Sequence, residues 1–469
     1  MFGHNLPVER LREYLLALKP EALALLVTEL ERGLLRGDDV PGAELVLNEL
    51  RRTLRETGQR VPRVGNPARL FYRPLEPFMV DDAPERQHRA RVARKALTPV
   101  WQWLCNFVMK TEAESYIDLV EHALIAGDDA TAATLAREFQ DRAGPCMLKA
   151  LEQVKADDRA RRRLMLQIGT PRALDDARTI AEVLIARDRL AAIGAQLPQH
   201  IKTLAGPTLE GARTVLDAAL NRHPEIFPYG LVLLMSRLAA PWQLIRLAVA
   251  AAGSDAAARV AETPYALCAD IVLTEIERMV AELTADLRSG RGVAVSALLK
   301  DVHDAVRGFR TEIDLSADAP WAARHAAILT QISEALTAVI ELIPGRVRRL
   351  LRPTAGVTAS GLLNGEDVAE TEALVGFVTA CRHYASELAV NEVTLRTFSE
   401  LQQYLDSGTH ALLDALRSAS PAARGFRQSQ VDAAVRFCAK LFGKEYAALL
   451  AKAAEVAAQD IDRKAAAGS

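Results

Sequence analysis

Apolar residues recur at steps of three and four along much of this chain, and that spacing restricts what it can fold into. The segment VLTEIERMVAELTADL places Val272, Ile276, Met279, Leu283 and Leu287 on one face of a helix. Two further stripes share this spacing: Ile328, Ile332, Leu336, Val339 and Ile343, and Leu23, Leu26, Leu30 and Leu34. No comparable alternation of apolar and polar residues predicts strands, so we expect an all-α fold with no significant sheet.

Three short segments predict joints between helices. They are LLRGDDVPGAELVL at Gly37, LIAGDDATAATLA at Gly127 and LLNGEDVAETEALV at Gly365. In each, glycine allows a left-handed helix end, and an acidic residue can cap the next helix. These turns resemble those of tetratricopeptide-type hairpins, but they do not recur at that family's period of about 34 residues. We therefore assign no family and expect an irregular α-solenoid-like stack or two helical bundles.

Changes in composition predict where the chain divides. The predicted segments are an N-terminal helical hairpin over 1–57, an extended aromatic and proline-containing linker over 58–83, a helical subdomain over 84–190, a central helical subdomain over 191–351, a loop over 352–366, C-terminal helices over 367–457 and a frayed tail over 458–469. Within the apolar stretch 226–254, Pro241 predicts two short buried helices in place of a membrane span, because Arg237 and Arg246 would be costly in a bilayer.

The stretch RLFYRPLEPFMVDDAPERQHRARVARK, residues 69–95, is the main candidate for a binding surface. Residues 51–95 contain twelve basic and five acidic residues in a chain whose net charge is −2. Its second half, PERQHRARVARK, is predicted to be helical. Aromatic and arginine side chains dominate interface energetics. The candidate partner-binding residues are Phe71, Tyr72, Arg73, Phe78, Arg86, Arg89, Trp101 and Trp103. The same aromatic residues can equally fasten the linker to the protein's own core.

A second basic run, GRVRRLLRP, supplies candidate anion-binding residues. They are Arg346, Arg348, Arg349 and Arg352. Such a run can meet phosphates, anionic lipids or an acidic partner, and the alternative is a solvated helix face or pairing with acids of the same chain. No aromatic residues are interleaved for base stacking, so we do not expect nucleic-acid binding.

No pattern in the sequence predicts catalysis, a metal or a cofactor. GxxxxGK[ST], GxSxG and HExxH motifs are all absent. The helical pairs Asp118 with His122 and His383 with Glu387 would each supply only two metal ligands.

The five cysteines are widely spaced without a CxxC, which is typical of reduced thiols, and no signal-peptide pattern opens the sequence. We therefore expect a cytoplasmic location.

These observations favour a non-enzymatic, cytoplasmic, helical interaction or scaffold protein that binds a protein partner. The preference for Arg over Lys indicates a GC-rich, bacterial genome. Two alternatives remain open: a peripheral binder of anionic membranes or another polyanion through the Arg-rich patches, and an enzyme whose site is not visible in the sequence. Neither the partner's identity nor the oligomeric state follows from the sequence.

Overall fold

Helices account for 84% of the structure, and the all-α prediction is confirmed. The computed structural model describes residues 14–15, 18–35, 41–56, 65–81, 90–155, 158–169, 171–289, 292–316, 319–352 and 362–467. Two short parallel strands, β1 (Met79–Val80) and β2 (Val92–Ala93), pair Met79 with Val92 and Val80 with Ala93.

The chain divides into two compact units. The first contains the described residues up to Asp81 and then Ala90–Ala195, so the described parts of the predicted N-terminal hairpin and of the predicted subdomain from residue 90 to 190 belong to one unit. The second contains the described residues from Gln196 onward.

The helices of the first unit are α1 Pro20–Leu35, α2 Ala43–Glu56, α3 Pro67–Tyr72, α4 Leu97–Trp103, α5 Lys110–Ile125, α6 Asp129–Lys155, α7 Asp158–Ile168 and α8 Pro171–Gln196, whose last residue crosses the boundary. A π-helical segment, Leu104–Val108, follows α4 directly, and 3₁₀ segments occupy Arg73–Phe78 and Arg94–Ala96. In α1 and α2, the buried core contains Leu23, Val27, Leu47, Leu50 and Leu54.

The helices of the second unit are α9 Gly206–Arg222, α10 Phe227–Met235, α11 Ile245–Ala252, α12 Ala257–Ala261, α13 Leu267–Ser289, α14 Gly292–Glu312, α15 Ala322–Ile340, α16 Ile343–Leu351, α17 Gly365–Tyr384, α18 Asn391–Arg417, α19 Pro421–Leu441 and α20 Lys444–Ala467. Its 3₁₀ segments are Pro224–Ile226, Pro241–Leu244 and Pro264–Ala266. Helix α20 continues through the part of the chain that we predicted to be a frayed tail.

Among the described side chains of the predicted apolar stripes, all but Leu26 are buried or half-buried, and the side chain of Leu34 lies outside the described residues. In α13, Val272, Ile276, Met279 and Leu283 are buried and Leu287 is half-buried; in α15, Ile328, Ile332 and Leu336 are buried. The α15 stripe continues with Ile340, because Val339 is only half-buried at the end of the helix. In α1 the prediction for Leu26 was wrong: it is 40% exposed, since the step of four from Leu23 leads to Val27 instead.

The predicted turn at Gly127 is confirmed, and the one at Gly365 is corrected. Gly127 has a φ of +76°, and Asp128 accepts a hydrogen bond of 2.9 Å from the Thr131 N–H. Side-chain and backbone hydrogen bonds from Thr131 lower the pKa of Asp128. Gly365 instead begins α17, which Asn364 caps by accepting the N–H of the next residue at 3.0 Å. The turn predicted at Gly37 lies outside the described residues.

The apolar stretch around Pro241 forms two short helices, as predicted. Helix α10 ends at Met235, and α11 begins after the 3₁₀ segment at Pro241. The two arginines find partners within the protein: Arg237 donates to the carbonyl oxygen of Leu197 at 2.6 Å, and Arg246 donates to Glu312 at 2.7 Å. Each arginine therefore has a polar partner inside the protein, whereas a charged side chain facing the bilayer core would be costly.

Among the described residues, one stretch passes a length and composition test for a membrane span. Residues Ala322–Leu351 have a mean hydropathy of 1.6 over the relevant window. Of that window, 28% is buried inside the protein. A single stretch of this kind is weak evidence for a span, because the core helix of a soluble protein passes the same test.

A close contact in the second unit requires glycine at position 308. A Cβ atom on Gly308 of α14 would lie 2.3 Å from Cδ2 of Trp242, a distance that real Cβ contacts do not reach. Arg246 also contacts the indole, with its guanidinium carbon 5.1 Å from the centroid of the Trp242 ring, and it pairs with Glu312. The absence of a side chain at residue 308 thus lets the Trp242 segment pack against α14.

We expect Gly308→Ala to lower the free energy of unfolding by about 1–3 kcal/mol, because Trp242 has to move. The matched control is Gly211→Ala in α9, where a Cβ atom would meet nothing within 4 Å. Alanine should there raise stability by about 0.5–1 kcal/mol through its higher helix propensity. Urea unfolding of both variants measures the difference, and equal effects would contradict the proposed contact.

Candidate functional site

The aromatic residues predicted as partner-binding candidates lie mainly in the interior of the first unit. Phe71, Tyr72, Phe78 and Trp103 are buried, and Trp101 is half-buried. The alternative that these aromatic residues fasten the linker to the protein's own core therefore describes the side chains in this structure. Arg73 is exposed beside them, whereas Arg86 and Arg89 lie outside the described residues. Whether any of these residues contacts a partner stays a prediction.

The buried rings form one contiguous group, which we call the aromatic clasp: Phe71, Tyr72, Trp101, Tyr116 and Phe139. The Phe71 ring centroid lies 5.2 Å from that of Trp101 and 5.5 Å from that of Phe139. Tyr116 stacks on Phe139 at 4.4 Å. Rings at these separations attract one another beyond the burial of their area, so the clasp ties α3 to α4, α5 and α6.

Polar contacts to the backbone complete the aromatic clasp. The Tyr116 hydroxyl donates to the carbonyl oxygen of Pro67 at 2.8 Å, and that of Tyr72 donates to the carbonyl oxygen of Leu97 at 2.9 Å. The Gln140 amide donates to the carbonyl oxygen of Phe71 at 2.9 Å. Burial raises the pKa of both tyrosines, so both hydroxyls stay protonated and able to donate.

Two secondary-structure predictions for this region were wrong. Residues 67–78, expected to be extended, form α3 and a 3₁₀ segment, because Asn66 accepts the Arg69 N–H at 2.7 Å and Pro67 suits the first helical position. Residues 92–95, the last part of the segment expected to be helical, form β2 and the start of another 3₁₀ segment, and residues 84–89 of that segment lie outside the described residues. Pairing of β2 with β1 here overrides the local preference of the sequence.

The basic run on α16 is engaged partly by acids of its own chain. Arg346 pairs with Glu370, and Arg348 pairs with Glu400 while also lying 5.7 Å from the ring centroid of Tyr404. Arg349 and Arg352 are exposed. Anion binding by this run stays a prediction. To bind an external anion, Arg346 and Arg348 would first have to separate from Glu370 and Glu400.

An open cleft of about 620 Å³ lies wholly within the first unit. It is lined by Trp103, Phe107, Val108, Cys146, Lys149, Ala150, Gln153, Arg159, Arg163, Leu164 and Gln167. Its walls are the end of α4 with the π-helical segment, one face of α6, and one face of α7. We call this feature the basic cleft. Trp103 is the one residue that the sequence analysis had proposed for partner binding and that also lines it.

Helical geometry explains why these residues converge. On α6, Cys146, Lys149, Ala150 and Gln153 are spaced by three, one and three residues, which places them on one helix face. On α7, Arg159, Arg163 and Gln167 are four residues apart and form a second face. The two faces therefore run along the cleft as polar stripes with small or apolar residues between them.

The π-helical segment exposes an aromatic side chain at the cleft. The Met109 N–H donates to the carbonyl oxygen of Leu104 at 2.9 Å, a bond across five residues that widens the helix by one residue. Phe107, within this wider turn, is 61% exposed although it is a large apolar residue. Such π segments are frequent at functional sites.

The charges of the basic cleft have one sign. Lys149, Arg159 and Arg163 are its ionisable cations, and no aspartate, glutamate or histidine is among the described lining residues. Two glutamines, Gln153 and Gln167, add amide donors and acceptors. The cleft can therefore bind anionic and apolar groups together.

The basic cleft was not predicted from the sequence, although a signal for one of its walls was present. The segment RARRRLMLQ holds four arginines within residues 159–163, followed directly by apolar residues. A basic amphipathic helix of this kind indicates a binding surface. The other two walls carry no such signal, because they are brought to α7 only by the tertiary fold.

Buried carboxylate Asp176 is a different kind of polar site. It is 6% exposed on α8, and burial raises its pKa to about 6, although Arg172, the Ala93 N–H and Lys95 act in the opposite direction. A perturbed pKa can indicate function, but Asp176 is not among the residues that line the basic cleft.

Among the described residues, neither histidine pair singled out from the sequence belongs to a larger ligand cluster. The Nδ1 atom of His122 donates to the backbone carbonyl oxygen of Asp118 at 2.6 Å, not to its carboxylate. Within the described ranges, no group of three or more His, Cys, Asp or Glu side chains is placed to hold a metal ion.

No known family, curated protein or solved structure matches this chain.

We expect Phe71→Ala to lower the free energy of unfolding by about 3–5 kcal/mol, because it removes the ring that contacts Tyr72, Trp101 and Phe139. Arg73→Ala, an exposed control two residues away, should change it by no more than about 0.5 kcal/mol. Thermal or urea unfolding distinguishes the two. A stable Phe71→Ala protein would show that the aromatic clasp is not a structural element.

We expect the contribution of Asp176 to the free energy of unfolding to fall as pH rises from about 4 to about 6, because the folded state holds its proton more tightly than the unfolded state. Asp176→Asn should remove this dependence and raise the free energy of unfolding at pH 7 by roughly 1–3 kcal/mol. At pH 4 the two proteins should be nearly equal. Asp175→Asn is the exposed neighbouring control, and an equal loss of stability at every pH in Asp176→Asn would contradict the assignment.

Proposed function

We propose that this protein is a non-enzymatic helical interaction protein, cytoplasmic and acting as a scaffold, that binds a protein partner in the basic cleft. The observation that carries the proposal is the combination of an exposed aromatic residue, Phe107, with the cations Lys149 and Arg163 at one concave surface. Aromatic and arginine residues are the types that contribute most to protein interfaces.

The lining of the basic cleft supports binding over catalysis. Its thiol, Cys146, has no histidine or carboxylate beside it among the described lining residues that could act as a base. The amides of Gln153 and Gln167 can orient a ligand but do not transfer protons at neutral pH. An enzyme would need several converging acid and base groups that this surface does not offer.

The distribution of charge supports a protein partner over an extended polyanion. Nucleic acid and membrane surfaces are bound by cations spread along a track or a broad face. In the basic cleft, three cations surround apolar residues within one concavity. The other basic run, on α16, has Arg346 and Arg348 paired with internal glutamates.

A photoreactive phenylalanine analogue at position 107 tests the proposal. Because Phe107 is 61% exposed, the substitution should preserve folding, and irradiation in native lysate should join the cleft to whatever occupies it. We expect a specific protein adduct, identified by mass spectrometry, that is weakened when Lys149→Glu and Arg163→Glu are introduced together.

The same analogue at position 119 is the matched control, since Leu119 is a 52% exposed residue of α5 outside the cleft. It should give no such adduct. Adducts only to lipid or nucleic acid, equal adducts from both positions, or none from position 107 would each overturn the proposed function.

A further inference from the structure

We infer that the segment bound in the basic cleft is an acidic amphipathic helix, with carboxylates on one side and large apolar residues on the other. This inference rests on the proposed function and specifies the chemistry of the partner. Three independent features lead to it: the sign of the charges, the placement of the apolar residues, and the helical walls.

The charges come from both helical walls. Lys149 belongs to α6, whereas Arg159 and Arg163 belong to α7. A bound segment would therefore have cations on both sides and no carboxylate among the described lining residues to attract a basic side chain. Guanidinium groups bind carboxylates with paired hydrogen bonds, which favours glutamate or aspartate on the partner.

The apolar residues form a floor with an exposed edge. Leu164 and Trp103 are buried at the cleft, and Phe107 projects from the π-helical segment. Leu166, 85% exposed, follows Arg159 by seven residues and so lies on nearly the same face of α7, although it is not among the lining residues. A volume of about 620 Å³ lies within the usual range for binding pockets of roughly 300–1,000 Å³, so it suits a few anchoring side chains.

The walls favour a helical ligand over an extended one. An extended peptide is recognised mainly by adding a strand to an exposed sheet edge. In the described part of the chain, β1 and β2 have two residues each, and neither contributes to the cleft lining. A groove between helices instead receives side chains projecting from another helix at steps of three and four.

The test measures fluorescence anisotropy with three labelled synthetic peptides. The first has leucine and phenylalanine at helical spacing and glutamate elsewhere; the second replaces every glutamate with lysine; the third keeps the glutamates and replaces the apolar residues with alanine. We expect the first to bind at least about tenfold more tightly than the other two, with affinity falling as salt increases.

Matched variants assign the binding to the basic cleft. Arg163→Glu should weaken the acidic amphipathic peptide about tenfold, whereas Arg161→Glu, an exposed arginine of the same helix outside the lining, should have little effect. Phe107→Ala should weaken it as well, and Leu119→Ala should not. In the double variant Lys149→Glu with Arg163→Glu, preference should shift to the lysine peptide. Circular dichroism confirms that each variant is folded.

The outcomes separate this inference from the proposed function. If position 107 cross-links to a protein but the lysine or alanine peptide binds as tightly as the acidic amphipathic one, the inference is overturned and the proposed function stands. If no peptide binds and no protein is cross-linked, both are overturned. Preferential binding of the acidic amphipathic peptide that responds to Arg163→Glu and not to Arg161→Glu supports both.

Discussion

Burial of apolar stripes along its longer helices is the constraint on which the rest of this structure depends. Ile276 and Leu283 on α13 and Ile332 and Leu336 on α15 are fully buried at helical spacing. Removing such side chains from water is the dominant favourable term in folding. The basic cleft is the opposite case: the α6 and α7 faces that carry Lys149 and Arg163 stay open to solvent, and charged side chains are costly to bury.

The sequence predicts the parts of the fold that are governed by local spacing. Helix faces with a clear period, the helix break at Pro241 and the glycine turn at Gly127 depend on residues within one or two helical turns of each other. The interactions that determine these features lie within a short segment. A pattern of apolar residues, proline or glycine therefore predicts where the features occur.

Elements that depend on distant partners were not predictable in this way. Residues 92–93 become a strand because β1 lies beside them, and Phe71 is buried because rings from α4, α5 and α6 surround it. The basic cleft is a similar case. It combines three segments between Trp103 and Gln167, and the arginines of α7 are the one local pattern that could have indicated it.

The aromatic clasp and the basic cleft share helix α4, which links the stability of the first unit to its binding surface. Trp101 packs against Phe71 in the clasp, and Trp103, two residues later, lines the cleft. The π-helical segment that presents Phe107 continues directly from this helix. Because the clasp fixes α4 against α3, α5 and α6, it also fixes the origin of the turn that exposes Phe107. The aromatic stretch that dominates the sequence thus serves the candidate site by positioning it, while α7 supplies the arginines that a partner would meet.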